Sequence, residues 1–563
     1  MINIFLFSFF SSIYLFCAGI FFYSKKNIGA SAIYLTIIFG AITLASIGVI
    51  FNFFTALSIN INTFIFLIIT TFGCFFIFKH KIFFKLFCCC ILISLISTLI
   101  LYYDTIYRPD ANLYHLPFTK IINDNKIILG ISNIHFRFGH TSVLQYLNAI
   151  FNNHLFRDNG ILLPAAIIFC SITLYFWNEI NQNLKKDKIY SYYVFLALCF
   201  ILYGYNRYSE FGNDTSAHLI FLLITTFFLK YKSFQEINDK EFFKLSLLSF
   251  FCFMLKTSLI FVFLFPIYVL ISNYNKKYIF NYFNIFFFLI IISWFLKNIL
   301  ISGCFIYPVE ITCFEKLEWF SNKKSYSISA TLQSLDNQAW TKGWSNYKGS
   351  DVSQELFVRD FFWFKTWVSV HGMIIIKKLL IFIIIIFGIN IFIKKNEVNN
   401  DPIQIQFNKK LTILILFSLL CSFIWFLRFP LFRYGSSYLV VLIISVSTFL
   451  AIKLNVIIEN QKYFSKFVKF SLIIFFTLFI SKHGVRIYKK HSYVNLNYTW
   501  PSFPKEKNTK KVSKIQKIGD FNYYLLKPNV DGCGYTSAPC TPYPVKNVKF
   551  KKIRGYKLLY LGK

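Results

Sequence analysis

The stretch Ile2–Tyr23, "INIFLFSFFSSIYLFCAGIFFY", decides the fold. It holds no charged residue. A helix rises about 1.5 Å per residue, so this run can cross a hydrocarbon core roughly 30 Å thick. It is too long for the apolar part of a signal peptide and lacks a basic leader, so it reads as a retained span. Similar runs recur along a chain of 563 residues that is 56% hydrophobic, with a mean hydropathy of +0.55. In lipid, every backbone N–H and C=O must bond inside a helix or a closed barrel. The runs are continuous rather than alternating, which selects helices. The expectation is an all-α polytopic membrane protein with about fourteen transmembrane helices.

Basic residues orient the spans. The net charge of +35 first suggests a nucleic-acid partner. Many Lys and Arg instead sit in short clusters at span ends, where cytoplasmic turns carry them, so no nucleic acid is expected. Lys25–Lys26, Lys79–Lys81 and "KKDK" at Lys185–Lys188 mark that side. Alternation then puts the long segments 104–160, 297–371 and 482–563 on the outer face. The chain divides into a membrane body, 1–481, with those first two segments as outer loops, and a small extracytoplasmic domain, 482–563. The last segment is itself basic, but long segments translocate largely regardless of charge. Cys304 and Cys313 in "CFIYPVEITC", and Cys533 and Cys540 in "CGYTSAPC", fall on the same face. Disulfides persist there, and each pair could close a short loop. Zinc is the rival use, against the ligand spacing.

Polar residues gather on that face too. One group is Asp110, His115, Lys120, Asn133, His135, Arg137 and His140. The others are Arg207, Glu210 and Asp214; Lys256; Lys297 and Asn298; and Arg428, Arg433 and Tyr434. Ionisable groups at a membrane edge are costly, which marks them as functional candidates. Each also has a plainer role. Asp110 and Asp214 could start helices, Lys256 could snorkel, and the arginines could anchor span ends. Together the groups suit one polar cavity. A carboxylate there can take a proton from an acceptor hydroxyl, and Arg and Lys can bind a phosphate as it leaves. A lipid phosphate lies at that depth, so sugar transfer from a polyprenyl-phosphate carrier fits the set. No "GxxxxGK[ST]" or "GxGxxG" offers a rival nucleotide site. No cofactor is expected, and the sequence gives no convincing ligand set for a divalent metal.

These residues resemble a known family. "DANLYHLPFTKII" (110–122) followed by "GISNIHFRFGHTS" (130–142) resembles the first outer loop of GT-C superfamily integral-membrane glycosyltransferases. The closest likeness is to a bacterial multi-pass membrane family. "WFLKNILISGCFIYPVEITCF" (294–314), "AWTKGW" (339–344), "WFLRFPLFRYG" (425–435), "CGYTSAPCTPYP" (533–544) and "RGYKLL" (554–559) match in order. The chain departs from the family's Arg-Asn at Lys297-Asn298 and from a glycine at Phe136. The resemblance implies a GT-C-like body in the bacterial inner membrane with its site on the periplasmic side. It implies Asp110 as general base, and His115, Lys120, His135 and Arg137 shaping the loop. Arg433 would bind phosphate, with Lys256 and Arg207 behind it; Asp214 and Asn298 complete the substrate-binding candidates. The expected partners are a polyprenyl-phosphate sugar, a glycan or lipid-glycan acceptor, and the bilayer. A polysaccharide polymerase or ligase is a close alternative. A lipid-linked sugar flippase would need polar groups through the midplane, and a scaffold would be indifferent to loss of Asp110.

Overall fold

The computed structural model of the chain describes residues 1–23, 29–104, 110–205, 212–231, 237–272, 282–320, 323–349, 352–380, 383, 402–453, 461–493, 513–527, 532–536 and 538–561. Among them the body is a bundle of helices, and strands occur only near the C-terminal end. Among the described residues nine helices are long and apolar enough to cross a bilayer. They are Ile2–Phe22, Ala30–Phe54, Ile59–Lys79, Phe83–Leu101, Arg157–Asn183, Asn284–Ser302, Phe407–Arg428, Phe432–Lys453 and Phe464–Lys489. Lys188–Gly204 and Thr257–Ser272 are shorter apolar helices. The protein is a helical multi-pass membrane protein with a small strand region. The expected span between 372 and 393 falls mostly outside the described residues.

The helices keep their hydroxyls quiet by bonding back one turn. Ser12 donates to Ser8 O at 2.7 Å, Ser94 to Cys90 O at 2.7 Å and Thr98 to Ser94 O at 2.7 Å. Each of these three hydroxyls thus finds an acceptor without a partner helix. Two glycines set the tightest crossing. A Cβ on Gly40 would lie 1.7 Å from Leu15 O, and one on Gly19 would lie 1.9 Å from Thr36 O. Only hydrogen fits, so the backbones of Ile2–Gly19 and Ala30–Phe54 touch. Burial then sorts centre from rim. The most apolar window of Arg157–Asn183 is 89% buried and that of Ile59–Lys79 only 22%. The second helix is therefore peripheral, with Phe72, Phe75 and Phe78 turned outward.

The last long helix, Gln461–Tyr493, runs past the expected boundary at 481. Lys482, His483 and Arg486 thus extend it rather than open the next domain. The strand region begins at β1 (Ser513–Ile518), which pairs antiparallel with β2 (Phe521–Leu526). The short β3 (Cys540–Thr541) joins β2 in parallel, and β4 (Val548–Ile553) and β5 (Tyr556–Leu561) form a separate antiparallel hairpin. Both parts are stitched to the loop that follows Phe83–Leu101. Leu129 N–H donates to Lys557 O at 2.9 Å, and Leu559 N–H donates to Leu129 O at 3.0 Å. Asn133 Nδ2 donates to Leu559 O at 3.1 Å. Cys533 and Cys540 are disulfide-bonded, as are Cys304 and Cys313. Between the first pair, Tyr535 OH donates to Asn123 Oδ1 at 2.8 Å and accepts from Asn152 Nδ2 at 2.7 Å.

Candidate functional site

Asp110 opens a π-helical turn, Ala111–His115, which continues into the helix Leu116–Asp124. Its carboxylate does not cap that turn. It faces two arginines instead: Arg137 Nη1 lies 2.7 Å from Oδ1, and Arg433 Nη1 lies 3.0 Å from Oδ2. Asp110 still stands at a helix start, where its charge favours the N-terminus, and its side chain also reaches both arginines. Arg137 rides over the Tyr114 ring at 5.0 Å. Arg433 lies over the rings of Tyr434 at 5.0 Å and Trp340 at 5.4 Å, and its Nη2 donates to Tyr434 OH at 2.9 Å. Its Nε has no hydrogen-bond acceptor among the described residues.

A second ion pair sits behind Arg433. The helix Asp239–Leu255 breaks at Lys256, whose backbone is extended. A helix end leaves carbonyls without partners. That of Leu255 is taken up by Ser142 Oγ, at 3.0 Å, and by the Asn213 side-chain amide. Those two bonds bring the loop after Arg137 and the start of the helix Asp214–Lys230 to the same point. Lys256 Nζ then donates to Asp214 Oδ1 at 2.6 Å and to Arg433 O at 2.9 Å. His218, one turn beyond Asp214, donates from Nε2 to the same Arg433 carbonyl at 2.8 Å and accepts at Nδ1 from Ser437 Oγ at 2.6 Å. Lys256 and His218 thus fix the backbone of Arg433, while its guanidinium reaches Asp110.

The histidines of the loop are uncharged supports. Gln145 Oε1 accepts from Ser142 N–H at 2.9 Å, which leaves its amide to donate to His115 Nδ1 at 3.0 Å. Burial pushes the His115 imidazole down to about 4, against the pull of Asp110. His135 Nδ1 accepts from Arg137 N–H at 3.4 Å, and burial, then Arg137, pushes it to about 3. For Asp110, burial works against the charge, but Arg433, Arg137 and His115 outweigh it and hold the carboxyl below its ordinary range.

Two expected site residues lie elsewhere. Lys120 pairs with Asp124 at 2.8 Å, one turn along its own helix, and covers the Tyr535 ring at 5.3 Å. Asn298 turns its amide to Phe305 O at 2.7 Å, tying the helix Tyr282–Ser302 to the loop closed by Cys304–Cys313. Neighbouring Lys297 is buried over the Trp294 ring at 3.3 Å and donates to Thr141 Oγ1 at 2.7 Å. Arg207 and Glu210 lie outside the described residues. Sequence reasoning missed Gln145, Asn213, His218 and Trp340. His218 carried a local signal, one helical turn from Asp214, and Trp340 stood within "AWTKGW". Among the described residues no group of three or more His, Cys, Asp or Glu side chains is placed to hold a metal.

Comparison with known proteins adds one finding. Neither the curated proteins nor the solved structures contain a match. A family profile described as a domain of unknown function, DUF8201, matches residues 1–440. That span includes Asp110, Arg137, Asp214, Lys256 and Arg433 and covers most of the chain, which therefore belongs to the DUF8201 family.

Proposed function

We propose that the chain is a membrane glycosyltransferase. It moves a sugar from a polyprenyl-phosphate carrier to an acceptor hydroxyl on the extracytoplasmic face of a bacterial inner membrane, in cell-surface glycan assembly. On this reading the body is GT-C-like with about fourteen spans: the nine long helices, the two shorter apolar ones, Asp214–Lys230, Asp239–Leu255 and the expected span at 372–393. The observation that carries it is the Asp110 carboxylate held between Arg137 and Arg433, with Asp214 and Lys256 behind. This is a base beside two guanidinium groups, the side chains that bind and stabilise phosphate.

In the resting arrangement both Asp110 oxygens are engaged, which makes it a weak base. A phosphate at Arg433 competes for the same Nη1 and frees Oδ2. The acceptor oxygen then forms its bond to the anomeric carbon as the bond from that carbon to the phosphate oxygen breaks. The electron pair leaves with the phosphate, which Arg433 stabilises, and the acceptor proton passes to Asp110. Displacement in one step inverts the anomeric carbon. The test is transfer from polyprenyl-phosphate sugars by purified protein in detergent. Asp110→Asn should fold and bind carrier but lose turnover by about 10²–10⁴-fold. Full turnover in that variant would overturn the assignment.

A further inference from the structure

The proposed reaction leaves the sugar ring itself without a seat, and Trp340 offers one. Trp340 lies in the last turn of the helix Lys323–Lys342. Its neighbours are pinned. Ala339 and Thr341 are fully buried, and Thr341 Oγ1 donates to Gln338 O at 2.9 Å. Lys342 Nζ donates to Val358 O at 3.2 Å and lies over the Trp363 ring at 4.9 Å. On this fixed base the indole remains 48% exposed. It is next to Arg433, whose guanidinium carbon is 5.4 Å from the ring centroid and whose Nη1 is 3.0 Å from Asp110.

We propose that Trp340 is the platform for the pyranose ring of the donor. The inference rests on the transfer reading and names the part of the substrate this residue meets. A sugar on a phosphate carrier has its anomeric carbon one P–O–C linkage from the phosphorus. A phosphate held by Arg433 therefore places the ring beside whatever borders that guanidinium. A pyranose has an apolar face of C–H bonds, which stacks on an indole, and a rim of hydroxyls, which suits the flanking charges. An indole serving only as an interfacial anchor would touch lipid rather than the guanidinium that reaches the carboxylate.

The test separates ring from phosphate. Binding is measured in detergent for polyprenyl phosphate bearing glucose, galactose or mannose, and for sugar-free polyprenyl phosphate. Trp340→Ala should weaken the best glycosyl carrier by about five- to tenfold and leave the sugar-free carrier within about twofold. Trp340→Phe should recover most of the loss. Arg433→Ala should weaken both carriers. Equal weakening of both carriers by Trp340→Ala, or of neither, overturns the platform and leaves the transfer reading standing. Binding of no carrier by the unaltered protein overturns the transfer reading, and the platform with it.

Discussion

Asp110 titrates according to the two arginines it holds. In the folded chain its carboxyl stays ionised below the ordinary carboxylate value near 3.8, because Arg433 and Arg137 outweigh its burial. The stability this contributes is present above about pH 4 and is lost as pH falls through the lower folded value. Removing one arginine raises that value. Arg137→Gln should therefore move the acid limb of the kcat/KM profile to higher pH, read from the rate of transfer across pH 3 to 8. His115 behaves in the same sense, over a higher pH range. Folded, it takes its proton only near pH 4; unfolded, near 6.5. The unfolded state binds more protons between those limits, so stability should fall by up to about 3 kcal/mol as pH drops across them. Thermal unfolding in detergent at pH 7, 5.5 and 4 checks this. The ionisable groups themselves were legible as charges at the ends of apolar runs. Arg433 and Lys256 were expected to share a cavity with Asp110, but which atoms pair was not legible across 323 positions. Lys120 looked like a site residue for its position in the loop, but helical spacing gave it to Asp124.

The helices show what periodicity and length can reveal. The apolar runs became helices wherever they are described, because lipid leaves the backbone no other choice. The break at Lys256 was also legible, since a lone cation interrupts two short runs. The contact of Ile2–Gly19 with Ala30–Phe54 was not, because glycine in a span has many uses. That contact makes a sharp contrast. Gly40→Leu must push against the Leu15 carbonyl, whereas a Cβ on Gly484 meets nothing within 4 Å. Gly40→Leu should abolish or strongly lower the yield of folded protein in size-exclusion chromatography. Gly484→Ala should leave yield and melting temperature within about a degree or two, since it only gains the propensity of alanine, about 0.5–1 kcal/mol.

Across the whole molecule, body and strand region share the loop that carries Asp110. A small region after the helical body was expected from where the apolar runs end. Their close coupling was not. The Gly534 N–H donates to Asn112 O at 2.9 Å, and a Cβ on Gly532 would lie 2.4 Å from the Asn112 carbonyl carbon. The disulfide-closed segment Cys533–Cys540 thus rests on the turn beside Asp110, with Leu113 packed against it. Cys533→Ser should loosen that turn, costing about 2–4 kcal/mol of stability in the strand region. It should lower transfer while leaving the rest of the body folded. Limited proteolysis and turnover measured together check it.

The bonds between Asn133 and Leu559 join residues 426 positions apart. A ribosome adding about 5–20 residues per second needs roughly 20–85 s to make the second after the first. For that interval the nascent loop has entered the membrane without the strands that brace it. This region can therefore assemble only after its strands are made, and a polypeptide interrupted before Ser513 would carry Asp110 and its arginines on an unbraced loop.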